Sequence, residues 1–468
     1  MLRNMRKIVM AVMAAASVIF ASCDQGRDIA VSEFTVDMAN DGNTVRVSVV
    51  PSDESVSYCT GLIMEDDYAA LGEDGLVSYI NDQVASAELK TGPSTEIYQD
   101  LLWQTHYYAF VAQINDGSVY GEPVVESVKT YRPYVEFAPE GTIIAPYAVS
   151  DNGRWVVGNY QGETMASYIY DVRRDSLTIV DGVMLYDITD AGVAYGKDFA
   201  GPVYYEDGQI KTVAAPAGSM ESGFYGVSPD GSVAVGYCMT ETYDNTAIVY
   251  ENGTIANITG TDINGQTPDG IVAKGIGANG NIAGYLLDSE YGQEFGCMWR
   301  GTSHEFDLFT DEYTGEWNEE LYAYTKRYGD LEIVISPSGR YLAGKLQISE
   351  SWEHMPTLAY VYDSEEDRMY EISDVAYNEF RPCAVTSTGL LFLADVPFGV
   401  SSQPYVWDFS TDQVSTFADY ASQQYGYAPE GVTIQGSVLA TSDDGTVVVG
   451  NYTSDTAFYT TIYFMSEE

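Results

Sequence analysis

The chain has 468 residues, 69 of them acidic and 21 basic, for a net charge of −48 at neutral pH. A field of that sign repels nucleic acid and anionic membrane surfaces and favours cations and neutral or basic partners, so nucleic-acid-binding functions are excluded. The length suggests more than one domain, and only three histidines, His106, His304 and His354, are present to serve a His-based triad or metal cage.

Residues 1–22 read as an export leader. Arg3, Arg6 and Lys7 form a basic start, followed by an apolar run from Ile8 to Ala21. That run is shorter than the roughly 20 residues a membrane-spanning helix needs, and small residues end it. The tetrapeptide Phe20-Ala21-Ser22-Cys23 resembles the lipobox of bacterial lipoproteins, with Phe20 in place of the usual aliphatic residue. The resemblance implies that Cys23 becomes the first mature residue and carries lipid, which holds a protein on a membrane while its body stays in water. Leader removal takes three basic residues (21 − 3 = 18), so the mature chain carries 18 basic and 69 acidic residues and a charge near −51. The expected location is the outer membrane, lipid-anchored and either periplasmic or surface-exposed.

After a linker over 23–28, residues 29–131 lack the repeat that fills the rest of the chain. Strand candidates are Glu33–Asp37, Thr44–Val50, Ser57–Ile63, Thr95–Gln99, Tyr107–Gln113 and Val124–Thr130. Between Asp66 and Glu88, Leu76, Val77, Ile80, Val84 and Ala87 recur at helical spacing and predict an inserted helix. The stretch Leu102-Trp103-Gln104-Thr105-His106-Tyr107 resembles the Leu-x-x-Thr-x-Tyr corner of fibronectin type III domains. That resemblance implies a β-sandwich in which the Tyr107 hydroxyl bonds back to a neighbouring backbone group. Arg132-Pro133 makes the joint to the repeated region.

Residues 134–468 repeat a unit. It opens Ala148-Val149-Ser150-Asp151-Asn152-Gly153-Arg154-Trp155-Val156-Val157-Gly158 and returns around Gly231, Gly339 and Gly445, with weaker copies around Gly192, Gly280 and Gly389. Each copy reads as strand, tight Asx-Gly turn, strand, then a third strand with an aromatic centre such as Tyr168-Ile169-Tyr170, and a closing fourth strand. Four short strands at a period near 40–50 residues predict propeller blades. The seventh copy supplies three strands, ending at Phe464, and Tyr134-Val135-Glu136-Phe137 is placed to add the fourth and close the ring. The unit resembles the HAF repeat of extracellular β-proteins, which implies architecture and is nearly silent on activity. The expected fold is all-β: a fibronectin type III-like sandwich with a helical insertion, then a seven-bladed β-propeller.

Four cysteines besides Cys23 remain, Cys59, Cys238, Cys297 and Cys383, with no CxxC spacing. They read as buried free thiols, with a Cys238–Cys297 bridge left open in an oxidising compartment. Asp262-Ile263-Asn264-Gly265 begins like a calcium loop but lacks the later ligands, so no cofactor and no metal site are assigned. No catalytic residue is singled out, and paired carboxylates for glycoside hydrolysis cannot be chosen among 69 acids.

Loop length points to a binding face. The connections between second and third strands, and between successive units, are long and share one face; the largest follow the fourth and fifth copies. They carry Trp317, Tyr322, Tyr324, Trp352 and His354, and aromatic rings on exposed loops suit sugar stacking or a protein partner. The alternative is that these aromatics pack on one another to stiffen the loops. The sequence therefore predicts a non-catalytic binding or scaffold lipoprotein that recognises a glycan or a cell-envelope protein, as a monomer or within an envelope complex. A carbohydrate-active enzyme using carboxylates on the same face is the second expectation, and a purely structural component of the envelope is the third.

Overall fold

The computed structural model describes residues 31–72, 75–137, 143–161, 164–310, 316–329, 332–349, 351, 357–372, 380–395, 404–425, 438–453 and 458–465. The leader 1–22, Cys23, Trp352 and His354 lie outside the described residues.

The N-terminal part holds two antiparallel sheets. One joins Phe34–Asp41, Thr44–Pro51 and Ser94–Tyr98; the other is built on His106–Asn115, which pairs with Tyr58–Met64, Val124–Lys129 and Ser118–Val119. Alternation along Thr44–Pro51 turns Val45, Val47 and Val49 inward, where they meet Tyr58, Ala109 and Val111 of the second sheet. The predicted inserted helix is two helices, Glu65–Leu71 and Gly75–Val84, interrupted at Gly72 with φ 67°. Ile80 and Val84 bury the second helix against Ile63 and Phe110. The Tyr107 hydroxyl accepts a hydrogen bond from the Leu102 N–H at 3.0 Å.

From Ile143 onward the described residues form seven antiparallel sheets of four or five strands in chain order, with a two-stranded sheet of Trp317–Asn318 and Ala323–Tyr324 between the fourth and fifth. Their first strands are Ile143–Val149, Met184–Ile188, Ser219–Val227, Gly270–Ile276, Val334–Ile335, Phe380–Val385 and Val438–Thr441. Lys326–Tyr328 pairs with the same strand as Val334–Ile335 and makes the fifth sheet five-stranded. Sheet three is a simple meander of Ser219–Val227, Val233–Thr240, Asn245–Glu251 and Thr254–Ile258. Each sheet packs face to face on the next, and the strands of the last pack on Ile143–Val149 of the first. The fold is thus an all-β ring, a β-propeller.

Apolar side chains fill the gaps between sheets. Val235 and Val249 of sheet three meet Ile271, Phe295 and Trp299 of sheet four, and Ile144 and Tyr168 of sheet one meet Val449 and Ile462 of sheet seven. Tyr134–Phe137 pairs antiparallel with Phe458–Phe464, with Val135 opposite Ile462, and so completes the last sheet from the front of the chain. Phe464 donates its N–H to the Pro133 carbonyl at 3.0 Å, and the Tyr131 hydroxyl donates to the Phe464 carbonyl at 3.0 Å.

The repeated turn motif joins sheets as well as strands. All seven repeat glycines have positive φ, from 70° at Gly153 to 100° at Gly389. In sheet three, Ser228 Oγ accepts from the Val233 N–H at 3.1 Å and donates to Asp230 at 2.7 Å, while Asp230 accepts from the Ser232 N–H at 3.0 Å. Neighbouring turns then bond to each other. The Asp443 N–H reaches the Asp151 carbonyl at 3.0 Å, the Asn152 N–H reaches Asp190 Oδ1 at 2.9 Å, and the Ala278 N–H reaches the Pro337 carbonyl at 2.7 Å. The N-terminal part docks on this turn face. Arg173 pairs with Glu65 at 2.6 Å, its carbonyl accepts from the Trp103 N–H at 2.8 Å, and the Arg132 guanidinium lies 4.9 Å from the Trp103 ring centre.

Candidate functional site in the central channel

In six of the seven sheets the first strand carries a bulge at the same place. The ladder to the second strand skips Tyr147, Tyr186, Tyr225, Lys274, Cys383 and Leu439. In five of the six the residue opposite is a glycine, Gly158, Gly196, Gly236, Gly284 or Gly450, while Leu393 stands there in the sixth sheet. A Cβ on Gly158, Gly196, Gly236 or Gly284 would stand 2.3, 1.8, 1.9 or 2.3 Å from a carbonyl oxygen of the bulged strand. Glycine thus lets the first strand approach closely, and a bulge re-aims the side chain it frees. The five described side chains, Tyr147, Tyr186, Tyr225, Lys274 and Cys383, line the central channel.

The tyrosines form a ladder around one wall. Ring centres of Tyr147 and Tyr186 are 5.2 Å apart, as are those of Tyr186 and Tyr225, and Tyr225 stacks on Tyr237 at 5.0 Å. Lys274 continues the row, its ammonium 4.1 Å from the Tyr225 ring centre. Burial raises the phenol pKa of all three ladder tyrosines, which keeps their hydroxyls neutral.

The two halves of the channel differ in charge. On the side away from the turns, Lys274 and Arg381 line a cavity of about 420 Å³ with Glu332 as the one carboxylate among its described lining residues. Glu332 is engaged by Arg381 at 2.8 Å and Lys345 at 3.5 Å. Toward the turns stand Asp151 and Asp187. Burial pushes Asp187 up to about 6, although its carboxylate accepts from the Val227 N–H at 2.8 Å and the Ile188 N–H at 2.9 Å. Burial, with Asp187, Asp190 and Asp443 nearby, pushes Asp151 up to about 8. The half-buried Cys383 thiol lines the channel and lies 3.5 Å from the Arg381 carbonyl, and burial pushes it up to about 12.

The aromatic loop residues form their own cluster. Trp317 stacks on Tyr291 with ring centres 3.5 Å apart and meets Tyr324 edge-on at 5.3 Å. Tyr324 is buried, and its hydroxyl donates to Asp288 at 2.7 Å, so it is part of the core of sheet four. Tyr322 is 72 % exposed. Mutual packing thus occupies most of the surface of Trp317 and Tyr324. Asp262 makes a compact turn, accepting from the Asn264 and Gln266 N–H groups at 2.9 and 2.7 Å and from the Ser289 hydroxyl at 2.5 Å. Cys59, Cys238 and Cys297 are free and buried, so the Cys238–Cys297 bridge left open by the sequence is not formed. Among the described residues no cluster of three or more His, Cys, Asp or Glu could hold a metal, and no helix is long and apolar enough to cross a membrane.

Sequence reasoning passed over the bulge row, yet its signal is regular. Tyr147, Tyr186, Tyr225, Lys274, Cys383 and Leu439 each stand three residues before the Ser, Thr or Gly that opens the turn.

No protein-family model matches the chain, and no curated protein does. Solved structures do resemble it. An oligogalacturonate lyase from Vibrio parahaemolyticus is 9 % identical over 71 % of this chain and 96 % of that one, with a TM-score of 0.46. TolB from Acinetobacter baumannii is 9 % identical over 81 % and 77 %, with a TM-score of 0.34. The β-propeller domain of the Trilobed protease from Pyrococcus furiosus is 8 % identical over 69 % and 82 %, with a TM-score of 0.35. With every score below 0.5, the ring of sheets itself is the ground for the architecture.

Proposed function

We propose that this protein is a non-catalytic binding lipoprotein of a bacterial outer membrane, anchored through Cys23, whose propeller channel receives a glycan or a cell-envelope protein. The proposed body is a fibronectin type III-like sandwich over 29–131 followed by a seven-bladed propeller over 134–468. The Tyr107 corner bond and the paired N-terminal sheets support the first unit, and the seven sheets support the second. The observation that carries the binding reading is the bulge row, which spends a close-approach glycine in sheet after sheet to aim tyrosine and lysine side chains into one cavity. The lipobox-like Phe20-Ala21-Ser22-Cys23 supports the anchor.

A glycan array probed with the purified protein tests the reading. Binding without turnover that Tyr186→Ala abolishes is the expected result; binding that survives this change places the site elsewhere. Cys23→Ala is expected to move the protein from membranes to the soluble fraction, and a variant that still sediments and resists salt washing overturns the anchor.

A second reading, a carbohydrate-active enzyme, draws on Asp151 and Asp187, two channel carboxyls held above the ordinary range. Product release from an array ligand, lost in Asp151→Asn, would favour it.

A further inference from the structure

The channel mouth runs against the charge of the whole molecule. Acidic residues outnumber basic ones 69 to 21 in the chain, yet the described residues lining the 420 Å³ cavity include two cations and one carboxylate. That carboxylate, Glu332, pairs through Oε1 with Arg381 at 2.8 Å and through Oε2 with Lys345 at 3.5 Å, and Oε2 accepts no hydrogen bond among the described residues. Lys274 is left over. Among the described residues its ammonium has no carboxylate or carbonyl within hydrogen-bond reach, and its contact is the face of Tyr225. A half-buried ammonium that has lost part of its water shell and gained a ring face, with Glu332 beyond hydrogen-bond reach, is poised for an anion. Its burial holds the lysine below its usual range, with Glu332 opposing and Arg381 adding to that shift.

Beside this cation stands a wall that suits a neutral, hydroxyl-bearing body. Tyr147, Tyr186 and Tyr225 follow one another at 5.2 Å, and Tyr147 is 38 % exposed. The Tyr147 hydroxyl has no partner among the described residues, while that of Tyr186 meets only the Met184 sulfur at 3.6 Å. Phenol rings stack on sugar-sized bodies and their hydroxyls exchange hydrogen bonds with sugar hydroxyls. The cavity volume lies within the usual range for a small-ligand site, about 300–1,000 Å³.

We infer that the channel mouth recognises a carboxylate-bearing sugar, its carboxylate on Lys274 and its ring along Tyr147, Tyr186 and Tyr225. The inference rests on the binding reading above and names the ligand class of that site.

Titration calorimetry of the full-length protein in detergent tests it with three probes: glucuronic acid, glucose and inorganic phosphate. Glucuronic acid is expected to bind at least about tenfold more tightly than either of the others, since a hydrogen bond to a charged group contributes about 1.5–3 kcal/mol. Lys274→Met is expected to erase that preference, with Lys274→Gln as the second variant should the first melt early. Glucose binding as well as glucuronic acid, phosphate binding as tightly, no binding of any probe, or a preference that survives loss of Lys274 would each overturn the inference. The binding reading is judged separately, by the Tyr186→Ala result on the array. A neutral array ligand that needs Tyr186 but not Lys274 would sink the acid-sugar assignment and leave that reading standing.

Discussion

The Lys274 ammonium sits 4.1 Å from the centre of the Tyr225 ring, and the two residues belong to neighbouring sheets. They continue a row in which Tyr147 leans on Tyr186 and Tyr186 on Tyr225, so four successive sheets touch through residues that take no part in their own ladders. Contact between sheets at the channel is therefore made by side chains that the bulges release.

If the glycines hold the bulges, adding one methyl group should be costly. Gly236→Ala puts a Cβ 1.9 Å from the Gly223 carbonyl oxygen, a contact that only backbone movement relieves. A loss of about 3 kcal/mol in unfolding free energy is expected, in the upper range for overpacked sites. Gly275→Ala, whose Cβ meets only an Ile335 methyl at 2.8 Å, should cost less. Equal denaturation midpoints for the two variants would contradict the bulge argument.

The acid pair at the turn end of the channel sets a pH dependence. A carboxyl whose folded pKa lies above its unfolded value near 3.8 favours folding while protonated, and that contribution is lost as pH rises through the folded value. For Asp151 the loss runs from about pH 4 to about 8, and for Asp187 to about 6. Asp151→Asn carries no such charge, so its melting temperature relative to the parent protein should climb between pH 5 and pH 8. A constant difference across that range would show that Asp151 ionises freely.

Thiol chemistry should report burial. Burial pushes the Cys59, Cys238 and Cys297 thiols above their usual value and Cys383 up to about 12. Only thiolates react with iodoacetamide, so the native protein at pH 8 should label slowly at all four positions, and all four should label in guanidinium without a reductant. A requirement for reductant would reveal a bridge. Fast native labelling of Cys383 would show the channel open to bulk water at that depth.

Trp317 and Tyr322 should separate by stability. Trp317 is stacked on Tyr291 and packed against Tyr324, so Trp317→Ala is expected to cost about 2–3 kcal/mol, somewhat below a fully buried tryptophan. Tyr322 is exposed, and Tyr322→Ala should stay within about 0.5 kcal/mol of the parent. Thermal melts of the two variants, beside their binding on the array, show whether this cluster serves the loop or a ligand.

Closure is testable by truncation. Starting the chain at Tyr131 keeps Tyr134–Phe137 against Phe458–Phe464; starting it at Ala138 leaves that last strand with a bare edge. The shorter protein should melt well below the longer one and aggregate. Similar melting of both would mean the front strand is dispensable.

What was legible in the sequence was local. Asp-Gly turns, the aromatic third strands and the surplus strand at Tyr134 are short-range patterns, and the place of Tyr134–Phe137 in the last sheet follows from counting strands, though its register does not. The Tyr107 corner was readable because its partner, Leu102, lies five residues away. The bulge row keeps a regular distance from the turn, but that it is a bulge was not legible, because register is decided between strands: Gly196 looks like any strand-ending glycine until its partner backbone, at Met184, stands opposite. The partner of Trp317 was hidden for the same reason, since it is Tyr291, from an earlier connection.

The bulge has an evolutionary corollary. A residue outside the ladder can change without disturbing strand register, and the identities found there differ widely: Tyr, Tyr, Tyr, Lys and Leu across from a glycine, and Cys across from Leu393. The repeat therefore separates heritable scaffold from selectable lining. The turn and the close strand approach hold the ring, while one codon per sheet sets what lines the channel, so single substitutions there can change its preference and leave the sheets in place.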